Sequence, residues 1–122
     1  MRKDCGVVPE QISRLLQEYT LGIKKIYGKS LKSVVLYGSY ARNDYNEDSD
    51  QDIMILVDIT EEQICKTRGL ISEYTYEFNM QHDLDIKQII KSKAQFDYWK
   101  SVYPFYKNVN REGIKIYEQR DE

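Results

Sequence analysis

Asp50 and Asp52 stand two residues apart at the head of the apolar run Ile53–Val57. On a strand, residues at this spacing point to the same face, about 7 Å apart along the backbone. Two carboxylates on one face repel each other and are costly beside an apolar core. They become favourable when they share divalent cations, and Mg²⁺ prefers a few carboxylates plus substrate phosphate oxygens. Upstream, Gly38-Ser39 interrupts the apolar run Val34-Val35-Leu36-Tyr37. A glycine there lets backbone amides approach a phosphate closely, and the serine adds a hydroxyl donor. If Tyr40-Ala41-Arg42 opens a short helix, its first amides favour an anion as well.

A phosphate cradle on one strand beside a metal-binding carboxylate pair on the next is what nucleotidyl transfer from a nucleoside triphosphate requires. In such chemistry two Mg²⁺ ions, roughly 3.5–4 Å apart, neutralise the triphosphate and orient the acceptor oxygen. A third carboxylate near the acceptor is expected from Asp83 or Asp85. Both should face the same side of a third strand, so periodicity does not choose between them. Asp83 is favoured as nearer the strand's start, with Asp85 as the alternative. Arg42 can bind a phosphate or pair with Asp44 or Asp48. A base could stack on Tyr37 or Tyr40. His82 reads as a packed or surface residue, and Lys87, Lys91 and Lys93 as a solvated basic edge able to assist the triphosphate.

The elements that must position these groups follow from periodicity. Ile12, Leu15, Leu16, Tyr19, Ile23 and Ile26 recur at helical spacing between Pro9 and Gly28. Val34–Tyr37 and Gln51–Val57 read as strands joined by a polar loop over Asn43–Ser49. Thr60 and Gln63 have capping-box spacing for a helix whose buried stripe is Ile64, Ile71, Tyr74 and Phe78, with Thr67 or Arg68 filling the missing turn. From about His82 to Ile90, apolar and charged residues alternate as in a strand with one dry face. Phe96, Trp99, Phe105 and Tyr106 read as packing residues, Pro104 and Gly113 bracket a last helix, and Ile114–Tyr117 reads as an edge strand. The pattern predicts one α/β (α+β) domain over residues 1–122, a small mixed sheet with helices packed on one face and the other face open.

Composition narrows the partners. Charged residues make up 31% of the chain yet nearly cancel to a net charge of -2, which argues against a general nucleic-acid-binding surface. Cys5, Cys65 and the lone His82 form no zinc-ligand cluster, and unpaired cysteines fit a reducing compartment. Neither a signal segment in Met1–Pro9 nor a membrane span is expected, so the protein reads as cytoplasmic.

Gly38-Ser39-x-Ala41-Arg42, then Ser49-Asp50-x-Asp52 and an apolar run, resembles the signature of the polymerase-beta-like nucleotidyltransferases, and among them the minimal nucleotidyltransferases. The resemblance spans residues from about 34 to 86. It implies Asp50 and Asp52 as metal ligands, Gly38 and Ser39 on the triphosphate, and Asp83 or Asp85 as third carboxylate and general base toward the acceptor. Two positions depart from the pattern. Asn43 replaces a glycine, but asparagine tolerates left-handed backbone. Gln51 replaces an apolar residue and should face away from the metals. The family's larger members carry a second domain that grips the acceptor, for which this length leaves no room. The resemblance therefore implies an acceptor hydroxyl on a partner, at a homodimer interface, or on a protein. A small helical HEPN-type partner in a toxin–antitoxin module is the implied pairing, with ATP as donor. The alternatives are a non-catalytic antitoxin or regulatory subunit, and a transferase acting on a small-molecule hydroxyl such as an aminoglycoside.

Overall fold

The computed structural model describes residues 8–46 and 48–119, so the expectations for Cys5 and for the first seven residues lie outside the described part. Helix α1 (Glu10–Tyr27) follows Pro9, whose φ of -54° suits helix entry, and ends at Gly28 with φ 60°. It buries Leu16, Tyr19, Thr20, Ile23 and Tyr27, one stripe at helical spacing. After a single 3-10 turn come β1 (Leu31–Tyr37), the one-turn helix α2 (Ser39–Arg42) and β2 (Gln51–Val57). Helix α3 (Glu61–His82) begins on the expected capping box: the Thr60 hydroxyl accepts from the Gln63 amide while Gln63 accepts from the Thr60 amide. Strand β3 (Ile86–Ser92), helices α4 (Lys93–Trp99) and α5 (Pro104–Glu112), and β4 (Ile114–Glu118) complete the chain.

The four strands form one mixed sheet in the order β3-β2-β1-β4. β1 runs antiparallel to both β2 and β4, while β2 and β3 are parallel and joined through α3. The alternation along β2 builds two cores. Ile53, Ile55 and Val57 meet α1 and α3 on one face, together with Val34, Leu36, Ile86 and Ile90. Met54 and Leu56 meet Val35, Phe96 and Val109 on the other. The α/β class is as expected, but helices on one face describes only α1 and α3. The second face carries α4 and α5, because Phe96 and Val109 supply apolar cover for Met54 and Leu56. At one end of that face Tyr37 and Asp52 stand opposite each other, and the Tyr37 ring packs edge-on against Phe105 of α5.

A second difference concerns the third strand. It begins at Ile86, not at His82, because α3 continues through His82 and stops at Asp83 in left-handed geometry, φ 56°. Asn79 sets this stop. Its backbone carbonyl accepts from Leu84 at 3.1 Å, and its side chain pairs with both backbone polar groups of Ile86 at 2.9 and 3.2 Å.

Candidate active site

β1 ends at Tyr37, and Gly38 turns the chain with φ 77° and ψ -149°, a conformation that side chains rarely adopt. Glycine is needed there twice over, since a Cβ at this position would collide with the Asp52 carboxylate. Ser39 then opens α2, and Asn43 closes it in left-handed geometry (φ 62°, ψ 33°), as asparagine permits. The Asp44 amide donates to the Ser39 carbonyl at 3.0 Å and fixes the loop that follows.

Asp52, on β2, shares its face with Met54 and Leu56 and lies in register with Tyr37 on one side and Lys87 on the other. Asp50 precedes the strand by one residue. Partial burial pushes the Asp52 carboxyl above the ordinary carboxylate range, and the neighbouring Asp50 charge adds to the rise. Lys87 and Arg42 offset it in part. The two acids therefore repel each other as the sequence implied. Lys87 Nζ lies 3.0 Å from Asp50 Oδ2, and that hydrogen bond and charge raise the lysine's own pKa, with Asp52 and Asp85 adding to the rise. Burial, together with the Asp52 charge, pushes the Tyr37 hydroxyl up to about 12, so at neutral pH it is a hydrogen-bond donor.

The structure separates the two candidates for the third carboxylate. Asp83 caps α3 and is not on the sheet, so it and Asp85 do not share a strand face. Asp85 leads directly into β3. Its amide donates to Gln51 Oε1 at 2.9 Å and its carbonyl accepts from the Gln51 amide at 3.1 Å, which continues the β2–β3 ladder beside Asp50. Gln51 is buried and turned away from the acids, and its Nε2 reaches the Tyr40 hydroxyl at 3.3 Å. It thereby ties α2, β2 and the Asp85 segment together. In the sequence Gln51 stands out only as a departure from an apolar position. A polar residue between two aspartates, in a strand otherwise buried on both faces, is the signal that marks it.

Arg42 pairs through Nε with Asp44 Oδ2 at 3.4 Å. It also borders a cleft with Tyr37, Gly38 and, from α5, Phe105, Asn108 and Glu112. Of the two candidate stacking tyrosines, Tyr37 faces this cleft. Tyr40 is buried, its ring stacked on Tyr45 with centroids 4.4 Å apart. His82 packs its ring on Phe78. Cys65 is an exposed free thiol, and no described helix is long and apolar enough to cross a membrane.

The donor set suits a hard divalent cation. It presents two mutually repelling carboxylates at one end of a sheet face, one of them lying against a glycine turn whose missing Cβ makes space for it. Among the described residues no three His, Cys, Asp or Glu side chains converge on one point, so the pair needs oxygens from elsewhere to complete a coordination sphere.

The model of the nucleotidyltransferase domain matches residues 16–117, and the chain belongs to that family of enzymes. Two relatives from Methanocaldococcus jannaschii both bear the name "Putative protein adenylyltransferase". One is 35% identical over 69% of this chain and 83% of its own length; the other is 29% identical over 85% of this chain and 96% of its own. The fold is shared with a solved structure from Sulfolobus solfataricus that bears the name "putative nucleotidyltransferase" (TM-score 0.63, 19% identity, 98% of this chain and 93% of that one). It is also shared with a toxin–antitoxin structure solved with AMP-PNP (TM-score 0.54, 17% identity, 85% and 74%).

Proposed function

We propose that this protein binds ATP with Mg²⁺ and transfers AMP to a hydroxyl group on a partner protein. Asp50 and Asp52 hold the metal, Gly38 and Ser39 receive the triphosphate, Arg42 pairs with its outer phosphates, and Asp85 completes the site on the acceptor side. The observation that carries this reading is the close approach of the Asp52 carboxylate to the Gly38 turn, where only a glycine fits, which supports pairing the proposed metal ligand with the proposed phosphate cradle.

When bound, the cation stabilises negative charge developing on the phosphates. The chain's own residues do the rest. Gly38, lacking a side chain, lets the Asp52 carboxylate sit against the turn, where the turn's backbone amides meet the phosphates and the Ser39 hydroxyl donates to one of their oxygens. The Tyr37 hydroxyl, held protonated, serves as a donor and not as a base. As the acceptor oxygen bonds to the α-phosphorus and pyrophosphate leaves, the hydroxyl proton passes to the Asp85 carboxylate.

Three features favour a protein acceptor, with a small helical HEPN-type protein in a toxin–antitoxin pair as the specific candidate. The relatives' names specify protein adenylyltransferases, and a toxin–antitoxin structure shares the fold. Exposed Tyr98, Val102, Tyr103 and Phe105 lie on α4, α5 and the turn between them, and Phe105 also borders the Arg42 cleft. The test is incubation of purified protein with ATP labelled at the α-phosphate, Mg²⁺ and the protein encoded beside it. Label should pass to the partner with wild type and be lost with D50N and D52N. If those variants neutralise the partner as well as wild type and no label moves, masking without catalysis replaces this reading.

A further inference from the structure

Lys87 is a surface lysine with an unusual set of neighbours. Its ammonium lies 3.0 Å from Asp50 Oδ2, and its backbone stands in register with Asp52 across the β2–β3 ladder. Asp85 lies two residues before it in the chain. No other lysine or arginine forms a close ion pair with Asp50 or Asp52 among the described residues; the Arg42 ion pair is with Asp44. The lysine side chain is 70% exposed, so it can leave Asp50 for water at little cost, as an exposed ion pair allows.

We propose that Lys87 is a built-in counter-ion that occupies Asp50 in the metal-free protein and competes with the divalent cation for it. The proposal rests on the reading of Asp50 and Asp52 as metal ligands. Without a cation, the two carboxylates repel, and Lys87 neutralises the outer one. When the metal arrives, the ammonium must swing away from Asp50, because both positive charges seek the same oxygens. Lys87 thereby sets the cation concentration at which the site fills. It also keeps the acidic face from collecting cations before the triphosphate brings its own oxygens.

The test is Mn²⁺ binding to nucleotide-free protein, followed through the electron paramagnetic resonance signal of free Mn²⁺, for wild type, K87M, K87R and D52N. K87M keeps the length of the side chain without its charge. It should bind Mn²⁺ roughly two- to fivefold more tightly, the size expected from removing one exposed competing ion pair. K87R keeps the charge and should stay near wild type. Unchanged or weaker binding by K87M, with its circular dichroism spectrum intact, overturns the proposal. D52N separates this failure from the other: if D52N binds Mn²⁺ as wild type does, the carboxylates are not the metal site and the reading beneath the proposal falls too.

Discussion

Replacing Gly38 by alanine should damage the protein in two ways at once. The new methyl group would need a strained backbone, costing about 1–3 kcal/mol, and would drive the Asp52 carboxylate out of its place. Thermal melts should show the loss of stability, and ATP turnover should vanish even where the variant stays folded. Asp52 itself should behave in the opposite sense. Its carboxyl titrates above the ordinary 3.8, chiefly through burial and then through Asp50, so its charge opposes folding once the native group ionises. In chelator at neutral pH, D52N should melt above wild type. The gap should narrow as pH falls through the raised native value and vanish below 3.8, where the Asp52 carboxyl is neutral in both the folded and the unfolded chain. Mg²⁺ should raise the melting temperature of wild type and leave D52N unmoved. A D52N protein less stable than wild type in chelator would mean that Asp52 is satisfied by contacts within the chain.

Among the elements, the junction of β2 with its two neighbours matters most. Gln51 is buried and hydrogen-bonded to Tyr40 on α2 and to the Asp85 amide before β3. Gln51→Leu keeps most of the volume and strands a part-buried amide, a loss of about 1–3 kcal/mol. The Asp85 amide should then exchange with solvent faster, and activity should fall more than stability, both measurable by amide exchange and turnover on the same sample. Unchanged exchange at Asp85 would remove Gln51 from the site's support. These elements were unequally legible in the sequence. β2, the capping box at Thr60, the ends of α5 and the left-handed Asn43 follow from local rules: apolar runs, cap pairs and residues that tolerate positive φ. The start of β3 does not. Alternation from Asp83 to Lys87 mimics a strand, whereas the true boundary is set by Asn79 reaching seven residues ahead to Ile86, a contact that exists only after folding. For the same reason sequence periodicity left Asp83 and Asp85 equivalent, while the structure puts one on a helix cap and the other beside Asp50.

At the scale of the molecule, the sheet has two differently loaded faces. Ile53, Ile55 and Val57 are fixed under α1 and α3, and Met54 and Leu56 under α4 and α5, so the strand bearing Asp52 cannot shift without opening both cores. Ile55→Ala should cost about 2–5 kcal/mol of stability, read as a lower denaturant midpoint. It should leave the metal affinity of the remaining folded fraction unchanged, because the residue lies away from the acidic end. The second core was the harder one to foresee. Phe96 and Val109 come from short helices far along the chain, and their docking on Met54 and Leu56 depends on where β3 ends.

The proposed activity requires one arrangement, in which a divalent ion bound by Asp50 and Asp52 meets a triphosphate seated on Gly38 and Ser39. A crystal soaked with Mn²⁺ and a non-hydrolysable ATP analogue, recorded at a wavelength where manganese scatters anomalously, tests it directly. An anomalous peak is expected in contact with both aspartates and with a phosphate oxygen, with Lys87 moved off Asp50. Manganese absent from the aspartates, or a triphosphate bound away from the Gly38 turn, would contradict it.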